Sequence, residues 1–400
     1  MTLHRAVIVG ASHAGAQLAA SLRQEGWDGE IVLVGNESAA PYQRPPLSKA
    51  YLAGNCTVDK LAIRSAEFYT KLRIEVLDAT VEAIDRAAGH LSLSTGEVLP
   101  YDRLALCTGA RPRRLSTPGA DLAGVFYLRT AADVEMIRDA TRPGRRAVII
   151  GGGYIGLETA ASLRALGLEV TVLEATERVL ERVTAPEVSA FFDRIHREAG
   201  VNIQTGARVE ALSGDGKVGE VVPAGGEPTS PAPAIVGLGG EPNTELAAAA
   251  GLVVDNGVVI DDQAQTSDSA IMAAGDCVSH DMARYGRRIR LESVPSAAEQ
   301  AKVAAATLCG KSKKISALPW FWSDQYDLKL QIAGLNTGYD EVVLSGDPTR
   351  DRDFTCFYLR AGELIAADCI NRPRDFMFSK RVITQQVPVE RAELMLAGSV

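Results

Sequence analysis

No stretch of this chain approaches the roughly 20 consecutive apolar residues needed to cross a bilayer. Its opening, Met1 to Arg5, runs into a buried-strand pattern without the segments of an export signal. A cytoplasmic protein with no membrane contact is expected. The six cysteines, Cys56, Cys107, Cys277, Cys309, Cys356 and Cys369, include no pair at CxxC or metal-ligand spacing. They read as small buried apolar residues. The five histidines, His4, His13, His90, His196 and His280, form no local metal set and accompany no serine or cysteine nucleophile signature. Hydrolase chemistry has no support, no metal is expected, and apart from His13 the histidines read as structural or surface residues. An excess of positive charge is also missing: the net charge of -8 argues against nucleic-acid binding.

What is present is a device that occurs twice. Gly10-Ala11-Ser12-His13-Ala14-Gly15 follows the apolar run Ala6 to Val9, and Gly151-Gly152-Gly153-Tyr154-Ile155-Gly156 follows Ala147 to Ile150. Each time a short strand enters a glycine turn and then an alanine- and leucine-rich helix, whose end amides can meet a pyrophosphate. Two cradles imply two dinucleotides, and two such cofactors in one chain imply a flavin enzyme that oxidises a reduced nicotinamide.

Beyond the second cradle, Glu174 lies eighteen positions after Gly156, where its carboxylate can accept from both ribose hydroxyls. It would repel a 2'-phosphate and favour NADH over NADPH, while Arg178 and Arg182 leave the phosphate alternative open. The first cradle has Ser12 where a second glycine is usual, so that side chain must turn aside or donate to a phosphate oxygen. Its ribose acid is Glu37 or, in competition, Asn36; a plain solvated turn is the alternative. Gly237 and Gly239 read as a lip over the nicotinamide or as turn glycines.

At 400 residues the chain has room for two or three domains. The pattern predicts an α/β fold of two interleaved Rossmann-like dinucleotide-binding domains plus a C-terminal α+β domain. Strands are expected at 30–35, 102–109, 169–174, 258–260 and 270–274, with helices over 156–166, closed by Gly167, and about 296–308. Residues 221–234 read as a turn-rich loop. Past about Tyr326, alternating apolar residues suggest an antiparallel sheet with a terminal helix or two. The domains are expected at 1–112 with 245–325 (FAD), 113–244 (NADH) and 326–400.

The stretch Pro41-Tyr-Gln-Arg-Pro-Pro-Leu-Ser-Lys-Ala-Tyr-Leu52, with Gly10–Gly15, Trp322-Ser-Asp-Gln and Gly275-Asp276, resembles the bacterial NADH-dependent ferredoxin reductases of oxygenase systems, which have a glutathione-reductase-like fold. The likeness covers nearly the whole chain. It implies FAD beside Gly10, Ser12, His13, Ala14 and Gly15, with Lys49 at the flavin N5 edge, its alternative being a snorkelling surface lysine, and Arg44, next to Pro45, on the pyrophosphate side. Asp276 would hold a ribityl hydroxyl and Thr108-Gly109 a turn near the flavin, with Arg111 close by. Arg129 would lie near the ring or its phosphates. Val81 would meet the adenine or be plain core. Val294 and Trp322 would form the flavin rim, though Trp322 also fits an acceptor's docking site or the core. For NADH the resemblance implies Gly151, Gly153, Tyr154, Ile155, Gly156, Glu174, Arg182, Gly237 and Gly239. Glu158 would pair with Lys49 and then meet the nicotinamide carboxamide; its plain role is favourable charge at a helix N-terminus.

Related peroxide and oxygen reductases carry a redox cysteine near the position of Lys49, so its absence implies direct transfer from flavin to an outside acceptor. The implied partner is a [2Fe-2S] ferredoxin that feeds a cytochrome P450 or a ring-hydroxylating dioxygenase, with the reductase a monomer. Residues 280–320 carry eight bases against three acids, a local excess that could steer an acidic partner or simply be solvated surface. An NADH oxidase or peroxidase, or an NADH-sensing flavin-binding module, are the alternative functions.

Overall fold

Short β-branched runs build two five-stranded parallel sheets whose central strands are buried on both faces, which is why these read as continuous apolar segments rather than alternating ones. The computed structural model describes residues 4–142, 144–229 and 232–396. It divides into a first unit of Met1–Gln43, Val58–Arg111 and Gly240–Ala317 and a second of Arg44–Thr57, Pro112–Gly239 and Leu318–Val400.

In the first unit the sheet order is Ile271–Ala273, Arg103–Leu106, Arg5–Val9, Glu30–Gly35 and Ile74–Asp78, every pair parallel. The helices His13–Glu25 and Val294–Leu308 pack against each other, and their many alanines keep that contact close. The second helix starts at Val294 rather than Ser296, because Ser293 caps it and a proline occupies its first turn, where a missing N–H costs nothing. An antiparallel meander, Val81–Asp85, His90–Leu93 and Val98–Pro100, lies in the same unit.

The second unit holds the sheet Asn202–Gln204, Glu169–Leu173, Arg146–Ile150, Ala234–Val236 and Val125–Tyr127, again parallel throughout. The cradle helix spans Tyr154–Ala165, and Gly167, at φ +82°, ends it as expected. Within the stretch expected to be loop, Val221 to Pro223 instead finish the strand Glu220–Pro223, paired antiparallel with Val209–Ser213. Val221 is fully buried there, so burial outweighs the turn residues that follow. Ser230 and Pro231 of that stretch lie outside the described residues.

An antiparallel sheet in the order Trp320–Gln325, Leu328–Gly334, Glu363–Ile370, Phe354–Arg360 and Glu341–Ser345 follows, with helices Pro373–Gln385 and Arg391–Leu396. It begins at Trp320, earlier than the alternation indicated. The hairpin turns at Tyr326, which adopts φ +56°, so Trp322 belongs to this sheet. Among the described residues no helix is long and apolar enough to cross a membrane.

Candidate functional site

In the first unit the glycines of the cradle are sterically required. A methyl group at Gly10, which sits at φ +114°, would lie 2.1 Å from the Cys107 carbonyl oxygen, and one at Gly15 would lie 2.0 Å from that of Gly10. The chain must therefore pass this close for the helix to begin directly above the strand. Ser12 is extended (φ -131°) and its side chain does not cap the helix, so His13, Ala14 and Gly15 open a helix whose first amides have no partner within it. Gly275 brings Asp276 to the same place: a methyl there would sit 3.0 Å from Ala14 Cβ and 3.9 Å from Ala297 Cβ, in the helix that Val294 opens. The buried Gln300 Oε1 accepts from Gly275 N at 2.8 Å and fixes the turn.

Thr108 and Gly109 leave the adjacent strand through a reciprocal clasp with Asn243. Thr108 Oγ1 donates to the Asn243 carbonyl at 2.7 Å, Asn243 Nδ2 donates to the Thr108 carbonyl at 2.8 Å, and Asn243 N donates to the Gly109 carbonyl at 2.9 Å. Arg111 turns to Asn243 Oδ1 and to Glu241 and Glu245. Glu37 is exposed past its strand and accepts from the Tyr42 hydroxyl. Val81 is half-buried on the first unit's core, in an edge strand.

The second unit repeats the cradle. Methyl groups at Gly151 and Gly156 would lie 2.4 Å from the Gly237 carbonyl oxygen and 2.1 Å from the Gly151 carbonyl oxygen, whereas one at Gly153 meets nothing within 4 Å. Gly153 thus faces open space at the helix start. Glu174 follows the strand Glu169–Leu173 with both oxygens engaged: Oε2 accepts from Gly152 N at 2.6 Å, and Oε1 from the amide and hydroxyl of Thr176 at 2.8 and 2.9 Å. Its carboxylate braces the glycine turn, a role the sequence did not reveal. Arg178 is spent on the carbonyls of Thr184 and Glu181, while Arg182 is exposed. Gly237 follows Ile150 by its amide, and Gly239 is at φ +89°. Tyr154 packs its ring on Phe321, centroids 5.0 Å apart, and burial drives its phenol well above the usual range. Ile155 is exposed beside it.

Arg44, Pro45 and Lys49 lie in this unit too. Arg44 donates to the Arg129 carbonyl at 3.1 Å, and Arg129 N donates to Asp133 Oδ2 at 3.1 Å. In the turn Leu47–Tyr51 the backbone leaves helical geometry at Lys49, whose Nζ reaches the Pro45 carbonyl at 3.1 Å and Glu158 Oε2 at 2.7 Å. Glu158, 5% exposed, also accepts from Ser48 Oγ and Ser323 Oγ, each at 2.6 Å. Trp322 is half-buried between Trp320 and Phe321.

Residues 4–301 match the family described as Pyridine nucleotide-disulphide oxidoreductase, and residues 320–397 match Reductase C-terminal. The chain is 48% identical over 391 residues to putidaredoxin reductase CamA of Pseudomonas putida, covering 96% of this chain and 92% of that one. The chain belongs to the pyridine nucleotide-disulphide oxidoreductases. A solved covalent putidaredoxin reductase–putidaredoxin complex is similar at a TM-score of 0.94 and 46% identity, covering 98% of this chain and 95% of that one. The ferredoxin reductase for the CYP199A2 system from Rhodopseudomonas palustris is similar at 0.95 and 41%, covering 98% and 97%.

As a pyridine nucleotide-disulphide oxidoreductase, the chain takes FAD and NAD(H). Its two glycine cradles fit such groups: in each, the absence of Cβ atoms at the first and last glycine lets the strand turn directly into a helix start, the place where a pyrophosphate binds. The oxidoreductase has no disulfide among its described cysteines. Its basic segment also differs from the count along the chain: Arg288 pairs with Asp255 and Asp281, Arg290 with Glu292, Lys311 and Lys313 with Glu25, and Lys314 with Asp262. Acids from outside the segment neutralise much of its excess.

Two residues of the site, Ser323 and Gln325, were within sequence reach. They alternate with Trp322 and Asp324 along one strand, so a period of two puts both polar side chains on one face. His196, read as structural or surface, is fully buried at a core position of the helix Pro186–Glu198.

Proposed function

We propose that this protein is an FAD-dependent NADH:ferredoxin reductase that delivers single electrons to a [2Fe-2S] ferredoxin, which in turn supplies a cytochrome P450 or a ring-hydroxylating dioxygenase. One observation supports it above the others: the turn that carries a redox cysteine in peroxide reductases carries Lys49, ion-paired with a buried Glu158, and every described cysteine is a free thiol. With no sulfur relay, electrons leave the flavin directly.

In this proposal FAD lies on the first cradle with Asp276, Thr108 and Gly109 beside it. NADH lies on the second with Glu174, Gly237 and Gly239. Bound flavin accepts two electrons as hydride and releases them one at a time. The protein's share is positioning and charge. Lys49 places a cation where negative charge gathers on the ring, and Glu158 orients Lys49 and the incoming carboxamide. Arg44 and Arg129 supply charge toward the phosphates, and Val294 and Trp322 shape the rim. Glu174, held by Gly152 and Thr176, presents fixed negative charge where a 2'-phosphate would lie, which favours NADH over NADPH. The protein works as a cytoplasmic monomer.

The test is an anaerobic titration of the yellow holoenzyme with NADH, followed by stopped-flow reoxidation with a [2Fe-2S] ferredoxin and, separately, with oxygen. Bleaching by NADH and reoxidation faster with ferredoxin than with oxygen are expected. Faster reoxidation by oxygen or peroxide would overturn the proposal.

A further inference from the structure

A single chain of hydrogen bonds runs from Glu158 to the hydroxyl of Tyr326, and its direction follows from chemistry alone. A carboxylate only accepts, so Lys49 Nζ at 2.7 Å and Ser48 Oγ at 2.6 Å donate to Oε2, and Ser323 Oγ at 2.6 Å donates to Oε1. Ser323 has then used its only proton, so at its other contact it accepts from Gln325 Nε2, 3.1 Å away. That fixes the amide, and its oxygen faces His196 Nε2 at 2.8 Å. An amide oxygen only accepts, so the imidazole proton is on Nε2. Nδ1 keeps its lone pair and accepts from the Tyr326 hydroxyl at 3.0 Å. Every donor points toward Glu158.

We infer that Ser323, Gln325 and His196 are positioning residues for Glu158, a one-way polarised chain that fixes the rotation of its carboxylate and so the seat of Lys49. This rests on the proposal above that Lys49 and Glu158 serve nicotinamide oxidation.

Two features argue for positioning over mere packing. Ser323 and Gln325 are each 1% exposed and His196 is fully buried, while Tyr326 at the far end is 38% exposed. Apolar residues of similar shape would fill such positions at little or no cost in stability. Polar ones serve where a direction is needed. Second, the carboxylate is gripped from two elements at once: Ser48, whose carbonyl accepts from Ser162 Oγ at 2.7 Å, holds one oxygen, and Ser323, on the C-terminal sheet, holds the other. A carboxylate tied at both oxygens cannot spin. If Oε2 releases Lys49 for an incoming group, Oε1 remains anchored as the pivot. Burial lowers the His196 pKa to about 4, so the ring stays neutral and the polarity of the chain is constant around neutral pH.

The experiment compares FAD-loaded wild type with Ser323→Ala, Gln325→Leu, His196→Leu and His196→Gln. It reads the limiting rate of anaerobic flavin bleaching at saturating NADH, the apparent Kd for NADH, FAD per chain, and the 15N spectrum of the histidine rings. Ser323→Ala is expected to lower the limiting rate about tenfold with FAD content unchanged, the effect of one lost charge-assisted hydrogen bond, and His196→Leu, which loses a neutral one, by about fivefold. His196→Gln keeps a donor toward Gln325 and is expected within about twofold of wild type. In wild type the His196 ring is expected as the Nε2–H tautomer from about pH 5 to 9. An Nδ1–H tautomer, or unchanged limiting rates in Ser323→Ala and Gln325→Leu, overturns the inference while leaving the function intact. A wild-type holoenzyme that NADH does not bleach overturns both. If His196→Leu fails to fold, Ser323→Ala and the ring spectrum decide.

Discussion

Thr184 Oγ1 donates to Asp368 Oδ2 across 2.6 Å, and the same carboxyl oxygen accepts from the Tyr358 hydroxyl at 2.5 Å. The Tyr358 oxygen in turn accepts from Ala185 N at 3.1 Å. Through this cluster the C-terminal sheet holds the segment that leaves Glu174, which is also tied to the second cradle by Leu180 N on the Gly152 carbonyl at 3.0 Å. The C-terminal sheet therefore braces the second cradle of its own unit.

Asp368 carries a pH signature. Burial raises its pKa from 3.8 to about 6, against the opposing pull of the Thr184 and Tyr358 hydroxyls. An acid that binds its proton more tightly when folded stabilises the fold below its unfolded pKa and loses that contribution as pH rises through the folded value. About 3 kcal/mol is at stake. The Tm of wild type relative to Asp368→Asn is expected to fall as pH rises from 4 to 7; a difference independent of pH would refute it.

His196 works with the opposite sign. Burial lowers its pKa from 6.5 to about 4, with Gln325 opposing. The unfolded chain takes up a proton first as pH falls, so this contribution is full above about 6.5 and is lost toward 4. Relative to His196→Gln, the wild type should lose stability on acidification over that window. Because the two windows overlap, Asp368→Asn should uncover the histidine slope and His196→Gln the aspartate slope, both readable in thermal melts.

The two cradles were legible because everything that makes them is local: a strand, a glycine turn and a helix start within a few positions. The same held for Gly167 at the helix end and for Lys49 standing where a cysteine might. The bracing was not legible. Nothing near Thr184 marks it as a partner of Asp368, and Glu25 gives no sign that it will neutralise Lys311 and Lys313. Such pairs join residues far apart in the chain, and charge counted along a segment omits the acids that folding brings to it. Strand alternation did contain the Ser323 and Gln325 face, but a period of two alone does not say that Glu158 and His196, far off in the chain, meet it.

Glycine substitution separates the two cradles. Gly10→Ala drives a methyl into the Cys107 carbonyl, and Gly156→Ala drives one into the Gly151 carbonyl; both contacts are backbone, so the turn itself must shift. Gly10→Ala is expected to purify with little FAD, seen as lost absorbance near 450 nm by roughly tenfold, the scale set by overpacking of 1–3 kcal/mol. Gly156→Ala should keep its colour and bind NADH about tenfold more weakly. Equal FAD loss in both would contradict the assignment of cofactors to cradles.

Lys49 and Glu158 test whether their ion pair is structural or chemical. Their side chains are 19% and 5% exposed, so Lys49→Met leaves a carboxylate buried with only the Ser48 and Ser323 hydroxyls as partners. Breaking one side of a buried pair costs about 3–5 kcal/mol, and removing the stranded charge recovers much of it. Lys49→Met is therefore expected to lower the Tm clearly, and the double variant Lys49→Met with Glu158→Gln to regain most of that loss. Flavin bleaching by NADH should behave otherwise. If Lys49 supplies the cation that charge gathering on the ring requires, both variants remain slow, by roughly a hundredfold for an electrostatic donor in a closed site. Recovery of rate together with stability in the double variant would make the pair a structural strut and remove Lys49 from the chemistry.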